Sequence, residues 1–378
     1  MREDILTTEL QKVSSESQRR ELYSMDWLDD KDKIIEGAFA ECYLKMHPMI
    51  CIHGILFTID GIVSDESGIK NDIYSMVRPY VTSGLARKVE QLLQTIKLEA
   101  YSEPLPLQTD RIHVANGTLF LNGEFSEQKD FCLNRLPVIY DPDVEKPARW
   151  LKFMEELLNP DDILTLQEYM GYMLLPTTKA QKMMLIIGKG GEGKSRIGLV
   201  LRELFGNNMY SCSLQKIEVD KFARANLEYM LITVDDDMKL EALPQTNHIK
   251  SIVTLEDQID LERKGQQSFQ GVVYARLIAF GNGGLHALYD KTDGFYRRQL
   301  ILTTKDKVDG REDDPYLIDK LRKERDGIFL WALEGLQRLV SNNYVFTESV
   351  DAKQNLVDAQ EEGNNILAFM KSEGYLQF

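Results

Sequence analysis

Residues 188 to 195 read Gly188-Lys189-Gly190-Gly191-Glu192-Gly193-Lys194-Ser195, a complete match to the phosphate-loop pattern G-x-x-x-x-G-K-[ST]. The apolar run Met183 to Ile187 leads into this loop, and a helix-like run, Arg196 to Leu204, leaves it. That order of strand, loop and helix distinguishes a phosphate loop from a chance glycine-rich turn. Glycines let successive backbone N–H groups curl around phosphate oxygens, the lysine reaches the β- and γ-phosphates, and the serine hydroxyl ligates Mg²⁺. The helix starting near Lys194 also points the positive end of its dipole at the anion. The candidate nucleotide-binding residues are therefore Gly188, Gly190, Gly191, Gly193, Lys194, Ser195 and Arg196, with ATP and Mg²⁺ as the expected ligands.

At 378 residues and 43% apolar content, the chain is long for one domain and comfortable for two. No apolar stretch approaches the roughly 18 residues that cross a bilayer. Met1 to Asp30 is charged and polar rather than signal-like, so a cytoplasmic protein without a membrane partner is expected. Cys42, Cys51, Cys132 and Cys212 lack C-x-x-C spacing, which argues against a zinc site or a disulfide framework. A net charge of -15 gives no global attraction to nucleic acid, so any such contact must come from local basic elements.

Hydrophobic periodicity divides the chain into an N-terminal accessory domain at 1–147, a helical collar at 148–179, an α/β core at 180–310 and a C-terminal helical segment at 311–378. Helix-like runs are Asp32 to Lys45 and Gly84 to Glu99; Ile112 to Leu121 reads as strands around an Asn116-Gly117 turn. Pro137 to Pro147 reads as a linker before amphipathic runs from Ala148 to Asn159 and Ile163 to Leu175. Alternating short apolar strands and helices after residue 180 predict a mostly parallel sheet covered on both faces. Pro315 to Asn342 reads as one long helix or two, followed by a polar stretch up to Ile366 to Tyr375.

Met230 to Val234 forms a strand-like run ending in Asp235-Asp236-Asp237. In that position one carboxylate can hold Mg²⁺ and the next can polarise an attacking water, which assigns Asp235 to the metal and Asp236 to the water. Ala275 to Phe280 is another apolar strand, ending at Gly281-Asn282. The Asn282 amide is a candidate for orienting water against a γ-phosphate; a plain turn asparagine beside Gly283-Gly284 is the other reading.

The ordered set of Gly188 to Ser195, Val234-Asp235-Asp236, a hairpin region with Lys264, a strand ending in Asn282, and Arg297-Arg298 resembles the superfamily 3 helicases. It is similar in particular to the phage and plasmid primase-helicase proteins related to the poxvirus primase-helicase. Val114 to Leu119 with Tyr140-Asp141-Pro142, Gln167 to Tyr172, and Leu321 to Gly335 extend the resemblance across most of the chain, from Asp32 to Asn342. It implies an AAA+-like, P-loop α/β core, with ATP bound between the subunits of a ring, usually a hexamer. It also implies a trans-acting arginine from the Arg297-Arg298 pair, without saying which one, and a channel hairpin whose tip is Lys264, with Arg263 and Lys250 as weaker DNA contacts. The implied activity is ATP-driven unwinding of DNA from a single strand during replication of a phage, plasmid or integrated element.

The chain departs from the resemblance in two ways. A triple aspartate stands where many relatives place a glutamate, and no segment before Asp32 is long enough for a primase domain, so a separate primase or origin-binding partner is expected. A P-loop ATPase that loads or remodels a replication partner is the main alternative. A small-molecule kinase would need a lid and acceptor pocket that are not apparent between Lys194 and Asp235. His47, His53 and His113 read as structural.

Overall fold

The computed structural model describes residues 26–239, 243–254, 258–265, 267–287, 293–307 and 314–362. The chain separates into two compact units, Met1–Leu105 and Pro106–Phe378.

In the smaller unit, helices Glu36–Met46, Ser67–Val77 and Leu85–Glu99 accompany an antiparallel sheet of Met49–Ile52, Ile55–Thr58 and Gly61–Ile62. Its core gathers Trp27, Phe39, Tyr43, Ile73, Leu92, Leu93 and Ile96, and Trp27 meets Phe39 and Tyr80 edge to face. The first helix begins later than the expected Asp32 because Asp29 Oδ1 accepts the backbone N–H groups of Lys31 and Lys33 and holds a turn there.

The larger unit opens with an antiparallel meander of Arg111–Val114, Gly117–Phe120 and Phe125–Ser126, which places the Asn116-Gly117 turn where the sequence did. The stretch read as a linker instead runs back along this meander: Leu136 N–H donates to His113 and Ala115 N–H to Val138, while the Asn116 amide exchanges two hydrogen bonds with the Tyr140 backbone. Arg135 donates to the carbonyls of Val114 and Gly117. The compact units therefore part at Leu105 and Pro106 rather than at the expected 147, and the meander belongs to the larger unit.

The core is a five-stranded, wholly parallel sheet. Its strands are β1 (Met183–Ile187), β2 (Met209–Ser211), β3 (Ile232–Met238), β4 (Arg276–Gly281) and β5 (Gln299–Thr303), in the spatial order β5-β1-β4-β3-β2. Side-chain alternation gives each face its own core. Met184, Ile186, Val234, Ile278 and Leu302 share one with the helix after the glycine loop, and Met183, Leu185, Leu277, Ala279 and Ile301 share the other.

Among the described residues, the helices that frame this sheet include α1 (Ala148–Leu157), α2 (Pro160–Tyr172), α3 (Ser195–Phe205), α4 (Leu317–Lys323), α5 (Arg325–Ser341) and α6 (Val350–Glu362). The apolar pattern from Pro315 to Asn342 resolves into two helices broken at Glu324. The Glu324 carboxylate caps α1 by accepting from the N–H groups of Arg149 and Trp150, each at 2.9 Å. Helix α6, which the polar composition had hidden, lies along β5, and the Asn355 amide donates to the Ile301 carbonyl at 3.0 Å. The expected Ile366 to Tyr375 run lies outside the described residues.

Helices α2 and α5 cross in close backbone contact. A methyl group on Gly171 would run into the backbone of Ala332 and Leu336, and one on Gly335 into the backbone of Gln167 and Glu168. Buried Glu168 reinforces the crossing by accepting from Arg338 at 2.6 Å and from the Thr347 backbone and hydroxyl. Gly335→Ala should therefore destabilise the protein by about 1–3 kcal/mol in chemical unfolding. Gly68→Ala, at a helical position with open space around it, should cost nothing.

Candidate active site

The loop from β1 to α3 adopts backbone conformations that only glycine takes readily. Gly190, Gly191 and Gly193 have φ of 106°, 85° and 106°. Gly188 has no room for a side chain, since a Cβ there would collide with the Thr304 hydroxyl and crowd Glu192. Gly198, one turn into α3, lets that helix approach Phe280 of β4, where a Cβ would lie 3.3 Å from the ring. Together these positions bring the first turn of α3 against the carboxyl ends of β1 and β4.

They line a cleft of about 300 Å³ bounded by Gly190 to Arg196, Asp236, Asp237, Phe280, Gly281, Asn282, Asp314 and Leu317. Of the expected nucleotide-binding residues, Gly190, Gly191, Gly193, Lys194, Ser195 and Arg196 line it, whereas Gly188 shapes the loop from behind. Lys194 is buried and its Nζ donates to Glu192 Oε2 at 2.8 Å and to Asn282 Oδ1 at 3.4 Å. Glu192 went unremarked in the sequence, yet it is almost wholly buried and also accepts from Gly190 N–H at 2.7 Å. Burial works to raise its carboxyl pKa, and hydrogen bonds from Lys194 and the backbone of Glu192 and Gly190 overcome that, leaving it below the usual value.

The aspartates depart from expectation. The strand runs through them: β3 continues to Met238, and its pairing with β4 slips so that Asp236 and Asp237 together oppose Phe280. This β-bulge turns both carboxylates out to the cleft. Asp235, assigned to the metal from sequence, is only 4% exposed and does not line the cleft. Its Oδ2 accepts the Leu214 N–H at 2.9 Å, at the start of the helix Leu214–Val219. Burial pushes its carboxyl up, against the pull of the Leu214 and Asp237 backbone N–H groups. The exposed, hard oxygen donors that face the loop are thus Ser195, Asp236 and Asp237, a set that suits Mg²⁺.

Neither Arg297 nor Arg298 lines the cleft. Arg298 donates to the Gly294 carbonyl, whereas Arg297 is exposed in the turn before β5 and forms no ion pair among the described residues.

The hairpin expected around Lys264 is present, as Ile259–Leu261 paired antiparallel with Phe269–Gly271. Lys264 is exposed at its turn beside Gly265, whose φ is 77°. Arg263 points to the base instead: it pairs with nearly buried Glu228 and stacks 4.7 Å from the Phe269 ring centroid. Lys221 adds a 2.6 Å bridge to Glu262. Lys250 lies half-buried on a different element, the helix Asn247–Thr254. Sequence reading also passed over Phe222, 38% exposed beside Lys221, because a lone aromatic among charges carries no periodic signal.

A family model described as a family of unknown function (DUF5906) matches residues 186–298, from the end of β1 through the arginine pair. Among solved structures, the apo C-terminal region of NrS-1 covers 86% of this chain and 75% of its own at 12% identity, with a TM-score of 0.57. An A form of that region covers 85% and 74% at 11% identity, with a TM-score of 0.55. Likeness at that level shows a shared fold. No helix among the described residues is long and apolar enough to cross a membrane.

The contrast between the hairpin residues is open to test. Arg263→Ala removes the ion pair to nearly buried Glu228 and should cost about 1–3 kcal/mol in chemical unfolding, whereas Lys264→Ala should leave stability unchanged.

Proposed function

We propose that this chain is an ATP-driven motor that moves along single-stranded DNA and unwinds duplex during replication of a phage, plasmid or integrated element, working as a ring, as the helicases it resembles do. The observation that carries this reading is the convergence on one cleft of the glycine loop, the bulged carboxylate pair and Asn282, with a lysine-tipped hairpin in the segment between β3 and β4.

The N–H groups of Gly190, Gly191 and Gly193 and the Lys194 ammonium would hold the phosphates, with Lys194 exchanging Glu192 for the β- and γ-oxygens. The Ser195 hydroxyl and Asp236 would hold Mg²⁺, which when bound neutralises phosphate charge. Asp237 accepts a proton from the attacking water as its oxygen bonds to the γ-phosphorus and the bond to the β-phosphate oxygen breaks. The metal and water roles read from sequence for Asp235 and Asp236 therefore move one residue along the chain.

Asn282, already within reach of Lys194, orients that water and registers the γ-phosphate. Among the described residues, the cationic side chains lining the cleft are Lys194 and Arg196, so charge developing on the transferring phosphoryl group is met by Arg297 from a neighbouring subunit. Lys264 then grips the backbone of a single strand, with the Arg263–Glu228 pair fixing the hairpin base and exposed Phe222 available to stack on a base. Contacts of this kind read little sequence.

Steady-state ATP hydrolysis with and without single-stranded DNA tests the reading. Lys194→Ala and Asp236→Asn should each lower turnover by roughly 100-fold or more, while Asp235→Asn, whose amide oxygen can still accept from Leu214, should keep most of it. Lys264→Ala should retain basal hydrolysis and lose both stimulation by DNA and unwinding. Arg297→Ala should bind nucleotide without turning it over, and mixing it with Lys194→Ala should restore part of the activity through shared sites. Turnover indifferent to DNA in the unaltered protein would instead favour an ATPase that remodels or loads a replication partner.

A further inference from the structure

The glycine loop encloses a carboxylate of its own. Glu192 stands between Gly191 and Gly193, at a position the phosphate-loop pattern leaves open to any residue, and its side chain turns inward instead of toward solvent. That side chain is 4% exposed and the Lys194 side chain 8%. Glu192 Oε1 accepts the Gly190 N–H at 2.7 Å, and Oε2 accepts from the Lys194 ammonium at 2.8 Å. Both are donors that the loop would offer to a phosphate. Gly188 leaves room for the arrangement, since a Cβ there would lie 3.0 Å from Glu192 Oε1 and 3.1 Å from its Cδ. Glu192 also lines the cleft, so an anion entering it meets these donors already engaged.

We propose that Glu192 is an internal anion that competes with polyphosphates for Lys194 and the Gly190 N–H, so that a nucleotide binds by displacing it. The proposal rests on the nucleotide reading above and adds what sets the affinity of that site. A buried ammonium without a counter-charge is costly, and Glu192 supplies the counter-charge from within the loop. A triphosphate carries more negative charge than one carboxylate and can take over the ammonium. The carboxylate must then give way, because anions crowded on one lysine repel each other. Whatever the internal pair contributes to the ligand-free protein is therefore subtracted from the free energy of binding.

Glu192→Gln keeps the shape of the side chain and removes its charge. Measured without nucleotide, this variant is expected to have a lower thermal unfolding midpoint, because Lys194 loses its counter-charge. In titrations with Mg²⁺ present, it is expected to bind ATP and inorganic tripolyphosphate roughly tenfold more tightly, both by the same factor, because the competition is at the phosphates. Glu192→Ala is expected to move the midpoint and both affinities in the same directions. The opposite signs identify competition, since a carboxylate that served only to shape the loop would lower midpoint and affinity together when removed. Affinities unchanged or weakened in both variants, or tightened for ATP alone, would overturn the competition while leaving the nucleotide reading intact. Failure of both probes to bind the unaltered protein and the variants would overturn the nucleotide reading itself, and the competition with it.

Discussion

A parallel sheet brings the carboxyl ends of its strands to one edge, and the candidate chemistry of this chain depends on that edge. The glycine loop leaves β1, the carboxylates lie near the end of β3, just before Met238, and Asn282 follows β4, so residues far apart in sequence meet without a dedicated scaffold. Adjacency alone would not suffice. A regular β3 would point Asp236 and Asp237 to opposite faces, and the extra residue facing Phe280 is what presents both to the same cleft. Gly198 matters for the same reason, because the helix behind the loop must approach the sheet closely for its first turn to reach the cleft.

Buried polar groups connect the hairpin side of the sheet to the meander that precedes it. The Asn134 amide donates to Asn208 and to the Tyr229 carbonyl and accepts from Tyr274, all at full burial. Glu228, next to Tyr229, is the carboxylate that anchors Arg263. A network with every member satisfied holds its parts in one arrangement, because each broken bond would leave a desolvated polar group unpaired. The hairpin base therefore inherits the rigidity of the sheet, while its tip remains in solvent.

Much of this was legible in the sequence, and the exceptions share a cause. The glycine loop, the strands on either side of it and the Asn116-Gly117 turn are local, and local pattern found them. The Asp235 assignment failed because a bulge is a property of two strands in register, which spacing along one strand does not reveal. Arg263 read as a candidate DNA contact because it sits next to Lys264 at the expected hairpin tip; its partner Glu228 lies 35 residues earlier, in a segment with no charge pattern. The break at Glu324 and the unit boundary at Leu105 likewise depend on which surfaces meet: Glu324 is needed to cap α1, and the supposed linker is needed to complete the meander.

Strand β5 ends the sheet on one side, and an outermost parallel strand presents a row of unpaired backbone groups. Helix α6 lies against that row, and Asn355 occupies one of its carbonyls. The helix therefore does for this sheet what an additional strand would do, without offering a new edge in its turn. The blocked edge thereby removes strand-to-strand stacking along β5 as a way for copies of the chain to associate without limit.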